Sequence, residues 1–115
     1  MLQKTAQYLK DNLIYTENVL LWNYGYYPLN SKKFDKIDDV SHGTLVVEFM
    51  SKCFDMGIVF SKDDMISLVN LFLTKIYKDG VFNLNIDGSG GIYLLMMYTF
   101  IIFYYYQNII GKSMT

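Results

Sequence analysis

The sequence predicts an all-α fold of antiparallel helical hairpins, and two observations carry that expectation. Apolar residues recur at spacings of three and four through three long stretches, and residues that start or stop helices bound the second and third of them. In the first stretch Leu2, Ala6, Leu9 and Leu13 share one face, with Lys4, Lys10 and Asp11 elsewhere on the wheel, so residues 2–20 are expected to form one amphipathic helix. The pattern is lost between Trp22 and Lys36, where the single proline, Pro28, stands near Asn30, Ser31 and three lysines; this is expected to be a surface loop.

A second helix is expected to begin near Asp39 or Ser41, whose side chains can accept from an unpaired first-turn N–H. It would carry Leu45, Val46, Phe49, Met50 and Cys53 on one stripe and stop at Gly57. A third starts at Ser61, where Asp64 three residues later makes a short variant of the capping box. Its stripe is Met65, Leu68, Val69, Phe72, Leu73 and Ile76, and Lys75 and Lys78 suit the negative end of the dipole. These two helices would form an αα-hairpin. Asp79-Gly80 and Asp87-Gly88-Ser89-Gly90-Gly91 then bracket Val81–Ile86, an extended connection or a lone strand.

Composition bounds the function classes. A chain of 115 residues that is 52% hydrophobic and 17% aromatic should bury a core rather than remain disordered. Ten basic residues, all lysine, meet nine aspartates and two glutamates for a net charge of -1. Without a basic field or any arginine, nucleic acid is not an expected partner. The lone Cys53 has no internal disulfide partner and is expected to pack in the core. The first residues show no apolar h-region or small-residue cleavage site, so no secretory signal is visible and the compartment stays open.

Charge is placed unevenly. Twenty of the 21 charged residues lie at or before Asp87, and the 24 residues from Gly88 to Gly111 carry none. The chain therefore divides into a helical-hairpin region, 1–91, and an apolar tyrosine-rich segment, 92–115. Length alone makes residues 92–110 a candidate membrane span. Five tyrosines between Ile92 and Tyr106, and Gln107-Asn108 beyond, fit the centre of a bilayer poorly. Three readings stay open: a span, a buried helix or strand of a larger fold, or a non-native tail left by a shift of reading frame.

Chemistry concentrates between Trp22 and Gly43. Trp22, Tyr24, Tyr26 and Tyr27 could stack on a sugar ring or fill the space between helices. His42, the only histidine, sits at a helix start with Asp38, Asp39 and Ser41 close in sequence, and falls on the face of Leu45, Val46 and Phe49. The positive helix end favours neutral imidazole, which suits a general base or acid with Asp39 as orienter. The plainer roles are a satisfied hydrogen bond for His42 and capping for the aspartates. No zinc-ligand spacing is present, and neither a metal nor a cofactor is expected. Asp87-Gly-Ser-Gly-Gly lacks the Gly-Lys-Ser/Thr end of a phosphate loop and reads as a turn, from which Asp87 could reach a site.

Taken together, Leu21-Trp22-Asn23-Tyr24, Ile37 to Gly43, Gly57 to Ser61 and Asp87 to Gly90 resemble a section of the bacterial α/α-toroid proteins related to polysaccharide lyases, epimerases and six-hairpin glycosidases. The resemblance covers roughly residues 2–91. It implies a partial α/α toroid and a polysaccharide or oligosaccharide partner, with His42 and Asp39 as catalytic residues and Trp22, Tyr24, Tyr26, Asp38 and Asp87 binding substrate. The chain lacks the arginine and second histidine common beside a uronate in lyases. About three helices cannot close such a ring, so a fragment or an oligomer, inactive by itself, is expected. The alternatives are a non-catalytic glycan-binding or interaction module, and a small membrane-anchored helical protein.

Overall fold

A computed structural model describes residues 2–24, 36–92, 104, 106–109 and 111. It corrects the all-α expectation: two small antiparallel sheets stand among the helices. In chain order the elements are α1 (Leu2–Asp11), β1 (Ile14–Thr16), β2 (Val19–Leu21), α2 (Val40–Asp55), α3 (Lys62–Leu71), a π-helical turn (Phe72–Ile76), β3 (Tyr77–Lys78) and β4 (Val81–Phe82).

The helix expected over 2–20 stops at Asp11. Asn12 turns its side-chain amide back to the Tyr8 carbonyl, 2.7 Å away, and so supplies a local bond that competes with the next helical turn. Ile14, Tyr15 and Thr16 then suit a strand better than a helix. Glu17 and Asn18 take φ of 49° and 67°, the left-handed pair of a tight hairpin turn that puts Thr16 opposite Val19 and Ile14 opposite Leu21. Asp79 and Gly80, at 55° and 80°, do the same for β3 and β4. A third hairpin follows: Leu84 N–H donates to Gly91, Asn85 N–H to Ser89, and Asn83 bridges Ile92. At Gly90 (φ 88°) a Cβ would stand 2.6 Å from Asn85 Nδ2, so only glycine fits.

The later helices begin where capping chemistry places them. Asp39 caps α2, accepting from His42 N–H, and Ser61 with Asp64 forms a complete capping box on α3. Gly57, at φ 69°, lies just past the end of α2. The short link that follows contains Val59 at φ 64°, a costly conformation for a β-branched residue, spanned by a 2.6 Å bond from Phe60 N–H to the Ile58 carbonyl. α2 and α3 do touch, but α3 packs chiefly on β2, so the expected helical hairpin is not the organising unit.

The core runs through Ala6 and Leu9 of α1, Leu20 and Trp22, Val47 and Met50 of α2, Leu68 and Leu71 of α3, and Phe72. Cys53 is buried there, and burial pushes its thiol above the ordinary value. Tyr106 and Ile109 belong to the same core, with the Tyr106 ring stacked on Phe72 at 4.6 Å between centroids. These two residues therefore join the hairpin region rather than stand apart from it. No helix among the described residues is long and apolar enough to cross a membrane, and most of the stretch 92–110 proposed as a span lies outside the described residues. Nor do the described elements repeat as helical pairs, and the toroid architecture is set aside with the all-α class.

The helix stripe on α2 is also rotated from expectation. Val40, Gly43, Val47, Met50 and Cys53 face inward, whereas Leu45 is 66% exposed. α2 carries apolar residues on two faces.

Asp64 ties three elements together. It accepts from Ser61 N–H, pairs with Lys10 of α1 at 3.1 Å, and accepts from the Tyr15 hydroxyl of β1 at 3.1 Å. Burial alone would raise its pKa, but these donors outweigh it and hold the carboxyl below its ordinary value. Partial burial and the Asp64 charge push Tyr15 up to about 12. A carboxyl depressed in the native state stabilises the fold above its unfolded pKa of about 4 and loses that contribution as pH falls through the native value. Urea titrations should therefore show stability falling below about pH 4, with a shallower acid decline in Asp64→Asn and a loss of about 1 kcal/mol at pH 7 from the lost Lys10 ion pair and the weaker, uncharged acceptor. An acid slope identical in both proteins would contradict this account.

Candidate functional site

The start of α2 gathers most of the residues singled out from the sequence. Its foundation is Asp38, which is only 3% exposed. The backbone N–H of Asp38 donates to the Trp22 carbonyl, and its own carbonyl accepts from Ile86 N–H. Oδ2 accepts from Trp22 Nε1 at 2.7 Å and Oδ1 from Asp39 N–H at 2.9 Å. Burial pushes this carboxyl above its ordinary value, against those two donors. Asp38 is thus a structural post that joins the strand end at Trp22, the cap of α2 and the hairpin after β4.

Trp22 is wholly buried, with no indole face left for a sugar. Its N–H is the donor that satisfies Asp38, and its ring lies against Gly43, where a Cβ would stand 3.3 Å from Trp22 Cζ2 and 3.3 Å from Ile86 Cγ2. Gly43 therefore serves close packing between α2, the indole and the third hairpin.

Asp39 divides its oxygens between two tasks. Oδ1 accepts from His42 N–H and the Ser41 hydroxyl, which is the cap; Oδ2 meets His42 Nδ1 at 2.7 Å. Burial acts to raise the Asp39 pKa, but the His42 and Ser41 donors prevail and hold it low. The His42–Asp39 contact expected from sequence is present. With the proton on Nδ1, the imidazole donates to Asp39 and leaves Nε2 as an acceptor. The His42 side chain is 57% exposed, and Tyr24 meets it edge-on at 5.1 Å between ring centroids.

Asp38, Asp39 and His42 also bring ligand-type atoms within 4.8 Å of one another. No zinc-like spacing announces this set. Every one of the four carboxylate oxygens already accepts a protein hydrogen bond, and the positive end of α2 points at them, so a cation would compete with the cap, with Trp22 and with His42. The donor set serves the fold first.

Asp87 does not extend toward this cluster through any bond. Its Oδ1 accepts from Ser89 N–H and the Ser89 hydroxyl and so fixes the turn of the third hairpin. Tyr26 lies outside the described residues.

Sequence reasoning missed a groove. Thr5, Tyr8 and Leu9 of α1 face Leu45, Val46 and Phe49 of α2 across a cavity of about 310 Å³, almost entirely apolar in its lining. Leu45 and Val46 stand three and four residues after His42, which places the imidazole one turn along the same helical face. The signal was available: residues 45, 46, 47, 49, 50, 53 and 54 are all apolar, more than one inward stripe can hold.

Comparison with protein-family models, with curated proteins and with solved structures finds no match. The site is therefore judged on its own chemistry.

Replacing Trp22 tests the Asp38 post directly. Trp22→Phe leaves the buried carboxylate short of a donor and opens space beside Gly43, and should cost about 2–4 kcal/mol in urea unfolding. Tyr24→Phe, at a half-exposed ring, should change stability by less than about 0.5 kcal/mol. Equal losses in the two variants would remove Asp38 and Trp22 from their central place.

Proposed function

We propose that the chain is a non-catalytic interaction module that receives the apolar side chains of a partner polypeptide in the groove between α1 and α2. The observation that carries this reading is the groove itself: an open apolar hollow walled by two helices, with Leu45 two-thirds exposed at its edge. Leu45 is two-thirds exposed beside the partly buried Val46 and Phe49, and an exposed leucine at the edge of an apolar hollow suits a surface that a partner covers. Two roughly facing helices with a trough between them suit an amphipathic helix laid along it, anchored by residues at i, i+3 or i+4 and i+7. A volume of about 310 Å³ takes the two or three large side chains such a helix presents, whereas it is at the low end for a small-molecule site.

A panel of amphipathic helical peptides, titrated by fluorescence anisotropy, tests the reading. The native chain should bind members with apolar anchors at that spacing, and Leu45→Glu should weaken binding at least tenfold with an unchanged melting curve, because the exposed leucine contributes little to the core. A panel with no binder, or equal binding by Leu45→Glu, would sink the reading; self-association that saturates the groove would reassign its occupant to a second copy.

A second reading is favoured by one distance, the 2.7 Å contact between His42 Nδ1 and Asp39 Oδ2. An oriented, half-exposed imidazole can take a proton in an acyl- or proton-transfer reaction. Its test is hydrolysis of p-nitrophenyl acetate: the native chain should exceed His42→Ala by tenfold or more, with Asp39→Asn in between. Rates that do not differ between native protein and His42→Ala would leave the dyad a helix cap alone.

A further inference from the structure

Below Gly43 the core holds a second, much smaller cavity, independent of the groove. It measures about 10 Å³ and is lined by Trp22, Gly43, Thr44, Ile76, Ile86 and Tyr106, among others. That is room for one water and no more. Tyr106, 1% exposed, lines this cavity, and its hydroxyl has no hydrogen-bond partner, the one such buried side-chain atom among the described residues. A phenol hydroxyl left unsatisfied in a core is costly, which is why buried hydroxyls nearly always have partners.

We infer that this cavity is a binding site for a single structural water, held between the Tyr106 hydroxyl and the Thr44 hydroxyl beneath Gly43. Thr44 Oγ1 donates to the Val40 carbonyl at 3.1 Å and so keeps its lone pairs for an incoming donor. The water accepts from Tyr106 and donates to Thr44, the two hydroxyl-bearing residues that line the cavity. Two hydroxyls meet the lower bound of the two to four polar partners that a buried water takes. The absence of a side chain at Gly43 leaves the space: a methyl there would meet Trp22 and Ile86 at 3.3 Å and close the gap. The site also connects the C-terminal helical residue Tyr106 to the first turns of α2, which no direct hydrogen bond does for its hydroxyl.

Two measurements on the full chain decide it. Water–protein cross-relaxation in NMR should show a long-lived water beside Thr44, and the signal should vanish in both Tyr106→Phe and Gly43→Ala. Thermal unfolding of Tyr106→Phe should shift down by several degrees, because a satisfied hydroxyl is being removed. If Tyr106→Phe melts at the same temperature or higher, or if native protein gives no long-lived signal at Thr44, the cavity is dry and the inference is overturned. Gly43→Ala provides the control in which the hydroxyl stays and only the space is taken.

Discussion

The fold is organised around one buried charge-bearing group. Asp38 sits inside the protein, and a carboxylate there is tolerated only where donors converge on it. Its neighbour Asp39 in the cap of α2 and two stretches distant in sequence, Trp22 at the end of the first hairpin and Ile86 from the third, supply the bonds that its side chain and backbone need. Meeting those demands fixes the height and direction of α2, and with it everything that α2 displays. His42 is held outward because Asp39 must cap the helix, and Gly43 is held inward because the indole needs its space.

From this post the helix presents two apolar faces with different fates. One face, Val40 to Cys53 through Val47 and Met50, closes the core against Trp22, α3 and Phe72. The other, Leu45 with the partly buried Val46 and Phe49, lines the groove beside α1. The polar cluster at the helix start and the apolar hollow along its side are therefore consecutive turns of one element, positioned by the same buried aspartate.

How much of this was legible follows from which signals are local. Both helix caps, at Asp39 and Ser61, are contained within four residues of sequence and were readable as such. Met65, Leu68, Phe72 and Ile76 of the third stripe were readable too, but Leu73, placed on the same stripe, is 53% exposed, and a π-helical turn takes over at Phe72, where the Lys75 carbonyl is engaged by Asn83 Nδ2 rather than by the helix alone. Strands β1 and β2 were not read, because Leu13 continued the helical spacing while the decisive features, Asn12 folding back and Asn18 adopting left-handed φ, act one residue at a time. At the site, the His42–Asp39 contact was anticipated, since it spans a single turn. The burial of Trp22 was left open beside stacking on a sugar: aromatic residues look alike in sequence whether they face a ligand or the core, and only the long-range pairing with Asp38 distinguishes them. The groove was hidden for the same reason, as it needs α1 and α2 to be brought together across thirty residues.

The bend at Val59 has a consequence for how the parts come together. A β-branched residue adopts left-handed backbone only when its surroundings compel it. Here Phe60 is drawn into the core on one side while Lys10 reaches the Val59 carbonyl at 3.3 Å from a position 49 residues earlier. The first helix is thus a clasp over the joint between the second and third, and loosening either the Lys10 bond or the bend at Val59 would slacken the other.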